Sequence, residues 1–293
     1  MAASVAHNIR RVGVVGAGQM GIGIAQVAAS VSKLPVVVLD SSAAQLEKQL
    51  GFLSSLLAKD VAKGKLTESD AADIRSRITS TTSMSDLSSA DIIIEAATEN
   101  TDLKLNIFKQ LDSIAAPGAI LASNTSSISI TKIAAATKRI ESVVGMHFMN
   151  PVPVMKLVEV IPGLATSDDT LARTLSLAHA MGKTTAQSKD IPGFIANRLL
   201  MPYINEAVFA LSEGLGTKED IDITMKLGMN HPMGPLTLAD FIGLDTCLAI
   251  MRVLHSQLGD PKYRPSPLLI QYVDAGFYGT RACSAILSLI PES

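Results

Sequence analysis

Six residues near the start, Gly16-Ala-Gly18-Gln19-Met20-Gly21, constrain what this chain can fold into more than any others. A short apolar run of strand type, Arg11-Val-Gly-Val-Val15, comes directly before them, and residues 22–30 read as a helix directly after. A strand, a glycine-rich turn and a helix in that order form a phosphate-binding unit. Gly16 permits the tight turn, Gly18 the close approach of a pyrophosphate, and Gly21 the packing of helix on strand. The helix start offers free N–H groups and the positive end of its dipole to the phosphates.

A second strand, Pro35-Val-Val-Val-Leu39, ends in Asp40. A carboxylate about 20 residues beyond the glycines is placed to accept hydrogen bonds from ribose hydroxyls. It repels a 2′-phosphate, and Ser41 and Ser42 follow it where an arginine would be needed to offset that. Together these signals favour NAD over NADP. The competing reading is a glycine turn that binds nothing and an Asp40 that caps the next helix.

Residues 45–63 read as a long helix, and residues 66–78 contain another. Lys63 and Lys65 flank Gly64 and could meet a substrate phosphate, but cations near a helix C-terminus are common for dipole reasons alone. Ala90-Asp-Ile-Ile-Ile94 is the next strand, followed by Glu95, Glu99 and a helix over 103–114. Glu99 and Lys104 should face the nicotinamide side of the cleft; a solvated surface charge is the more frequent fate of such residues. Gly118-Ala-Ile-Leu-Ala122 is a further strand and delivers the polar cluster Ser123-Asn-Thr-Ser126-Ser127. Such a cluster commonly caps the following helix, and at a cleft edge it also donates hydrogen bonds to a ligand.

The chemistry is placed at Val144-Gly-Met-His147-Phe-Met-Asn150-Pro151-Val-Pro153 and the strand after it, residues 155–161. An apolar run ending in His147 reads as a buried parallel strand, whose carboxyl end is where ligands sit in open α/β sheets. Glu159 lies inside the next apolar strand, so the two could form a general base and its orienting partner. A structural histidine and a solvent-facing Glu159 are the bland alternative. Spacing argues for caution too: in a simple hairpin Glu159 falls roughly 13 Å along the strand from the residue opposite His147. On that reading only a non-hairpin arrangement brings them together.

Beyond Ile191-Pro192-Gly193, read as a domain junction with proline opening a helix, the strand–helix alternation stops. Residues 194–212, 220–227 and 235–254 read as helices. The first is apolar on more than one side, is expected to kink at Pro202, and carries a polar Asn197. The fold class is therefore α/β: a Rossmann-like doubly wound sheet over residues 1–190, then an all-helical domain over 191–293 for substrate binding or dimerisation.

Whole-chain properties bound the function. With 47% hydrophobic and 18% charged residues over 293 positions, the chain is globular and long enough for two domains. A net charge of −2 without a Lys/Arg stripe gives no field for nucleic acid. No apolar run is long enough to span a membrane. Cys247 and Cys283 have neither disulfide nor zinc spacing, so no metal is expected and the thiols read as apolar fillers of a reducing compartment. Residues 1–7 are too short a lead for a signal peptide, and the terminal Pro-Glu-Ser is not a peroxisomal address. A cytoplasmic or organellar-matrix protein is expected, and the length leaves no room for a hydratase or isomerase domain.

The motifs Val15-Gly-Ala-Gly-Gln-Met-Gly21, Ala122-Ser-Asn-Thr-Ser-Ser127, Gly145-Met-His-Phe-Met-Asn-Pro151, Met155-Lys-Leu-Val-Glu-Val160, Pro192-Gly-Phe-Ile-Ala-Asn-Arg198 and His231-Pro-Met-Gly-Pro235 occur in this order. As a set they resemble the L-3-hydroxyacyl-CoA dehydrogenase family, in its monofunctional short-chain form, as far as about Ser266. The resemblance implies that His147 is the general base, Glu159 the carboxylate that orients it, and Ser126 and Asn197 the hydrogen-bonding residues at the reacting oxygen. It implies NAD contacts from Gly16, Gly18, Gln19, Met20, Gly21, Asp40, Glu99, Lys104, Ser126 and Asn150. It further implies acyl-CoA substrates and a homodimer. A dehydrogenase of a free hydroxy or sugar acid, or an NAD-binding protein without turnover, are the competing readings. The chain departs from the family pattern after Gly276, where a Gly/Arg/Lys-rich stretch ending in an aromatic is usual.

Overall fold

The computed structural model describes residues 8–279 and divides into two compact units, Met1–Ile191 and Pro192–Ser293. Cys283, the atypical segment from Thr280 onward and the first seven residues lie outside the described residues.

The first unit is built on one eight-stranded sheet, β1 (Val12–Val15), β2 (Val36–Leu39), β3 (Ile78–Thr81), β4 (Ile92–Glu95), β5 (Ile120–Ser123), β6 (Val143–Phe148), β7 (Leu157–Pro162) and β8 (Thr184–Gln187). Their spatial order is β3-β2-β1-β4-β5-β6-β7-β8. Every neighbouring pair is parallel except β6 and β7, which run antiparallel. The order reverses between β1 and β4, and a crevice opens there beyond the strands' carboxyl ends. The central strands are continuous Val/Ile runs because helices cover both faces and leave no solvated side; Ile92, Ile93 and Ile94 are all fully buried.

The crossovers are α1 (Gln19–Ser30), α2 (Ala43–Ala62), α3 (Glu68–Ser76), α4 (Thr101–Ile114), α5 (Ile130–Ala134) and α6 (Asp168–Ala180). Their starts follow local chemistry. Thr67 and Asp70 close a capping box on α3, Asn100 caps α4, and Ser167 caps α6. Strands β3 and β8 carry no apolar signature. β3 buries only Ile78 and β8 buries none of its four residues, since polar Thr and Ser positions suit the two edges of a sheet.

The second unit holds α7 (Ala196–Ser212), α8 (Lys218–Ile223), α9 (Pro235–Ile242), α10 (Leu244–Leu258) and α11 (Pro267–Asp274) around a core that includes Met201, Ile204, Leu248 and Leu254. Three expectations change here. Pro192 does not open a helix: Gly193 and Phe194 take left-handed φ of 81° and 48°, so a turn intervenes before Ala196. Residues 235–254 are not one helix, because Gly243 at φ 102° breaks it between α9 and α10. Helix α7 runs on through Pro202 and buries one stripe, including Asn197, Met201, Ile204 and Val208, while Leu199 is 68% exposed. Cys247 is a buried free thiol pushed up to about 12 by desolvation, then by the charge of Asp245, as an inert apolar filler requires. No helix among the described residues is long and apolar enough to cross a membrane.

Candidate active site

The glycine turn behaves as the strand-turn-helix pattern requires. Gly16 has φ 100°, and a Cβ on it would come within 2.7 Å of the Ala96 carbonyl oxygen. A Cβ on Gly21 would sit 1.8 Å from the Gly16 oxygen, so only glycine lets α1 lie this close to the turn. A Cβ on Gly18 would meet nothing within 4 Å, which leaves space over the helix start. Gly18 is also the N-cap of α1, and no side chain caps that end. Open space over an uncapped helix N-terminus fits a pyrophosphate. Gln19 is exposed and Met20 packs partly against the core.

Asp40 closes the next part of the crevice. Its Oδ2 accepts from Ala17 N at 2.8 Å and its Oδ1 from Ser42 N at 2.9 Å, while Gln45 Nε2 donates to Ala17 O at 3.0 Å. The carboxylate thus ties β2 to the glycine turn. It is not the cap of α2; Ser42 is, accepting from Gln45 N. A cleft of about 560 Å³ is lined by Gly16, Gly18, Asp40, Ala97, Thr98 and neighbouring side chains. A larger groove of about 710 Å³ lies between α2 and β3 and contains none of the candidate residues.

Past β4, Lys104 is not the solvated charge that such a residue commonly is, while the Glu99 side chain stays 37% exposed. Lys104 is only 1% exposed, and its Nζ donates to Glu95 Oε1 at 2.6 Å and to Ala97 O at 3.2 Å. Glu99 Oε2 is 3.5 Å from the same ammonium. Glu99 Oε1 accepts from Thr125 Oγ1 at 2.6 Å, Ser126 N at 2.9 Å, Ser126 Oγ at 3.2 Å, Ser127 N at 3.1 Å and Ser127 Oγ at 3.2 Å. Desolvation works to raise the Glu99 carboxyl, but Lys104 and these donors prevail and hold it below the usual range. The polar cluster therefore turns around Glu99 and does not cap α5; Ser129 does. Sequence reading passed over Glu95. Its signal was a carboxylate at the carboxyl end of a triple-isoleucine strand, where a buried charge needs a dedicated partner.

Strand β5 delivers this cluster and β6 lies beside it. Asn124 Oδ1 accepts from Phe148 N at 2.9 Å, which fixes the end of β6. His147, one residue earlier, is directly opposite Glu159 in the antiparallel register. Its Nδ1 is 2.8 Å from Glu159 Oε2, with side chains 10% and 1% exposed. The expectation that a hairpin separates them is overturned. It assumed a tight turn at the prolines and a strand starting at Met155. The connection in fact occupies residues 149–156, β7 starts at Leu157, and the register centres on Pro153. Lys183 Nζ donates to Val152 O at 2.5 Å and Met155 O at 2.8 Å, so both flanks of this loop are tethered. Gly23 of α1 lets Val152 approach, since a Cβ there would lie 2.8 Å from Val152 Cβ. Asn150 is exposed in this loop and forms a cis peptide bond with Pro151.

Within the first unit the fold thus gathers Ser126 with Glu99, Glu99 with Lys104, and His147 with Glu159. Asn197 belongs to the second unit, 9% exposed on the first turn of α7. In that unit His231 Nδ1 lies 3.0 Å from Tyr203 Oη. Gly234 admits Asp222, whose carboxylate accepts from Leu236 N at 2.8 Å and Thr237 N at 2.9 Å and so caps α9. No group of three or more metal-ligating side chains occurs among the described residues.

A sheet of this order with a glycine turn at its reversal point defines a Rossmann-type dinucleotide-binding protein. Residues 11–191 match the NAD binding domain of 3-hydroxyacyl-CoA dehydrogenase and residues 193–288 match its C-terminal domain. The chain belongs to the 3-hydroxyacyl-CoA dehydrogenase family. It is 55% identical over 274 residues to a probable 3-hydroxybutyryl-CoA dehydrogenase of Bacillus subtilis, covering 94% of this chain and 95% of that protein. It is 43% identical to the mitochondrial hydroxyacyl-coenzyme A dehydrogenase of Homo sapiens, covering 93% and 89%. The crystal structure of (S)-3-hydroxybutyryl-CoA dehydrogenase from Ralstonia eutropha superimposes with a TM-score of 0.92 at 53% identity, covering 95% of this chain and 98% of that one.

Proposed function

We propose that this protein interconverts a short-chain (S)-3-hydroxyacyl-CoA, 3-hydroxybutyryl-CoA above all, and the matching 3-ketoacyl-CoA. The observation that carries the reading is the buried His147–Glu159 pair at the carboxyl edge of the sheet. NAD held in the crevice supplies the hydride acceptor, and the protein's own residues then have a proton to move and a charge to stabilise. A carboxylate oxygen can only accept, so Glu159 keeps the hydrogen of neutral His147 on Nδ1 and leaves the Nε2 lone pair as the base. Nε2 takes the substrate hydroxyl proton; in reverse, the imidazolium returns it to the ketone oxygen. Ser126 serves as a hydrogen-bonding residue at that oxygen, with Asn150 a further polar contact, and Asn197 of the second unit keeps the substrate-contact role that its motif implies. Gly16, Gly18, Gln19, Met20, Gly21, Asp40, Glu99, Lys104, Ser126 and Asn150 serve the cofactor.

The names and identities of the relatives support a coenzyme A thioester over a free hydroxy acid. The test compares NADH oxidation with acetoacetyl-CoA and with free acetoacetate. Fast turnover of the thioester alone is expected; equal rates, or turnover of the free acid alone, overturn the substrate assignment. The second unit is also the dimerisation surface in this reading. Leu199, Leu215, Leu227 and Met229 are each at least 60% exposed on it, more apolar side chain than a solvated face needs. A single-protomer mass in solution scattering removes that assignment.

A further inference from the structure

One buried charge of the first unit has no part in the proton transfer or in the cofactor contacts assigned above. Lys183 lies between α6 and β8, where Gly182 N donates to His179 O at 2.9 Å and Lys183 N to Ala178 O at 3.0 Å. The residue is 7% exposed, and among the described residues its ammonium pairs with no carboxylate. Its Nζ donates instead to two backbone carbonyls of the connection between β6 and β7, Val152 O at 2.5 Å and Met155 O at 2.8 Å. We propose that Lys183 is a positioning residue for the cofactor: it holds the 149–156 connection in place and so keeps Asn150 where it meets the dinucleotide.

Three observations lead there. First, an ammonium buried without a counter-ion is a costly way to fill space. Desolvation pulls Lys183 below the ordinary lysine value, whereas a methionine would fill a similar volume with no charge to desolvate. Second, the connection has contacts enough to fold without that charge. Val154 N and Met155 N both donate to Pro151 O at 3.0 Å, Val152 is 2% exposed, and Thr184 N donates to Lys156 O at 2.8 Å. What Lys183 adds is a fixed separation between the connection and the start of β8. Third, the connection touches the cofactor side of the fold. It carries Asn150, exposed, two residues before the first tether, and it packs Val152 onto Gly23 of α1, the helix that starts at the phosphate turn. Strands β6 and β7 are registered by their own ladders. A slackened connection therefore moves Asn150 and leaves His147 opposite Glu159.

This inference rests on the reading of Asn150 as a cofactor contact and is tested on the full chain by NADH affinity, read from the cofactor's own fluorescence, beside thermal melting. K183M keeps the stem and removes the charge and its donors. It is expected to melt cooperatively and to raise the NADH Kd about tenfold, the size of coupling within one hydrogen-bond network. K183R, which keeps both, is expected to hold the Kd within about threefold of wild type. N150A alone is expected to weaken binding to a similar degree as K183M. Adding K183M to N150A should then cost less than about twofold more, since the residue being positioned is gone. K183M binding NADH within about twofold of wild type overturns the proposal. So do a K183R as weak as K183M, effects that multiply in full in the double variant, and loss of cooperative melting in both K183M and K183R, each of which makes the lysine purely structural. N150A with wild-type affinity strikes the Asn150 contact itself, and the proposal falls with it. Wild-type protein that fails to bind NADH strikes the cofactor reading, an outcome separate from all of these.

Discussion

Glu159 Oε2 lies 2.8 Å from His147 Nδ1, and the two residues are cross-strand partners in the one antiparallel pairing of an otherwise parallel sheet. Directly opposed residues put their side chains on the same face. The backbone ladder, and not a chance meeting of loops, therefore holds the imidazole and the carboxylate together.

His147→Gln is expected to lower turnover of acetoacetyl-CoA by about 10²–10⁴, the usual share of a general base. Glu159→Gln, which loses the charge but keeps the shape, is expected to lower it by about 10–100-fold, as loss of an orienting partner commonly does. Steady-state kinetics with NADH checks both, and a variant at wild-type speed takes its residue out of the mechanism.

Gly21→Ala places a methyl 1.8 Å from the Gly16 oxygen. Backbone must move, because no flexible side chain is there to yield. A loss of about 1–3 kcal/mol in stability is expected, together with weaker NADH binding, measured by thermal melting and fluorescence titration. Gly18→Ala meets no protein atom, so it should spare stability and harm only cofactor affinity.

Asp40 is expected to set the cofactor preference. Wild-type kcat/KM should favour NADH over NADPH, and Asp40→Ser should narrow that ratio by at least about tenfold as the repulsion of a 2′-phosphate is lifted. Activity with NADH falls as well, since the carboxylate also holds Ala17 N and Ser42 N. An unchanged ratio would mean that Asp40 does not face the ribose.

Glu99 makes the first unit sensitive to acid. Its carboxyl is held below the ordinary value of 4.5 despite the opposing effect of burial. A depressed carboxyl binds protons less well in the folded state, so its stabilisation is fully present above the unfolded pKa and lost as pH falls through the folded one. The melting-temperature advantage of wild type over Glu99→Gln should be constant near neutrality and shrink in the acid range. The Glu99 side chain is 37% exposed, which keeps the effect modest. An advantage that grows toward low pH contradicts the assignment.

The parts legible in the sequence were those that carry their own periodicity or stereochemistry. Glycines at 16, 18 and 21 mean little except a phosphate turn once a strand and a helix flank them, and the Val/Ile runs of β1, β2 and β4 admit few alternatives to buried parallel strands. What stayed hidden depended on partners remote in the chain. Edge strands β3 and β8 have no apolar alternation to display. The fate of Lys104 was decided by Glu95 and that of Ser126 by Glu99, 27 residues away. The His147–Glu159 contact was hidden because the two prolines read as a tight turn, whereas the connection spans residues 149–156. In the second unit, one glycine with a left-handed φ split what the pattern read as a single helix.

The anchoring of β6 against β5 and of β7 against β8 has an engineering consequence. Both strands are pinned from their outer flanks, so the segment joining them does not dictate how they align. Residues added at Val154, 70% exposed within that segment, would lengthen it while the His147–Glu159 pair kept its alignment. The connection is thus a place where length can be varied without disturbing that pair.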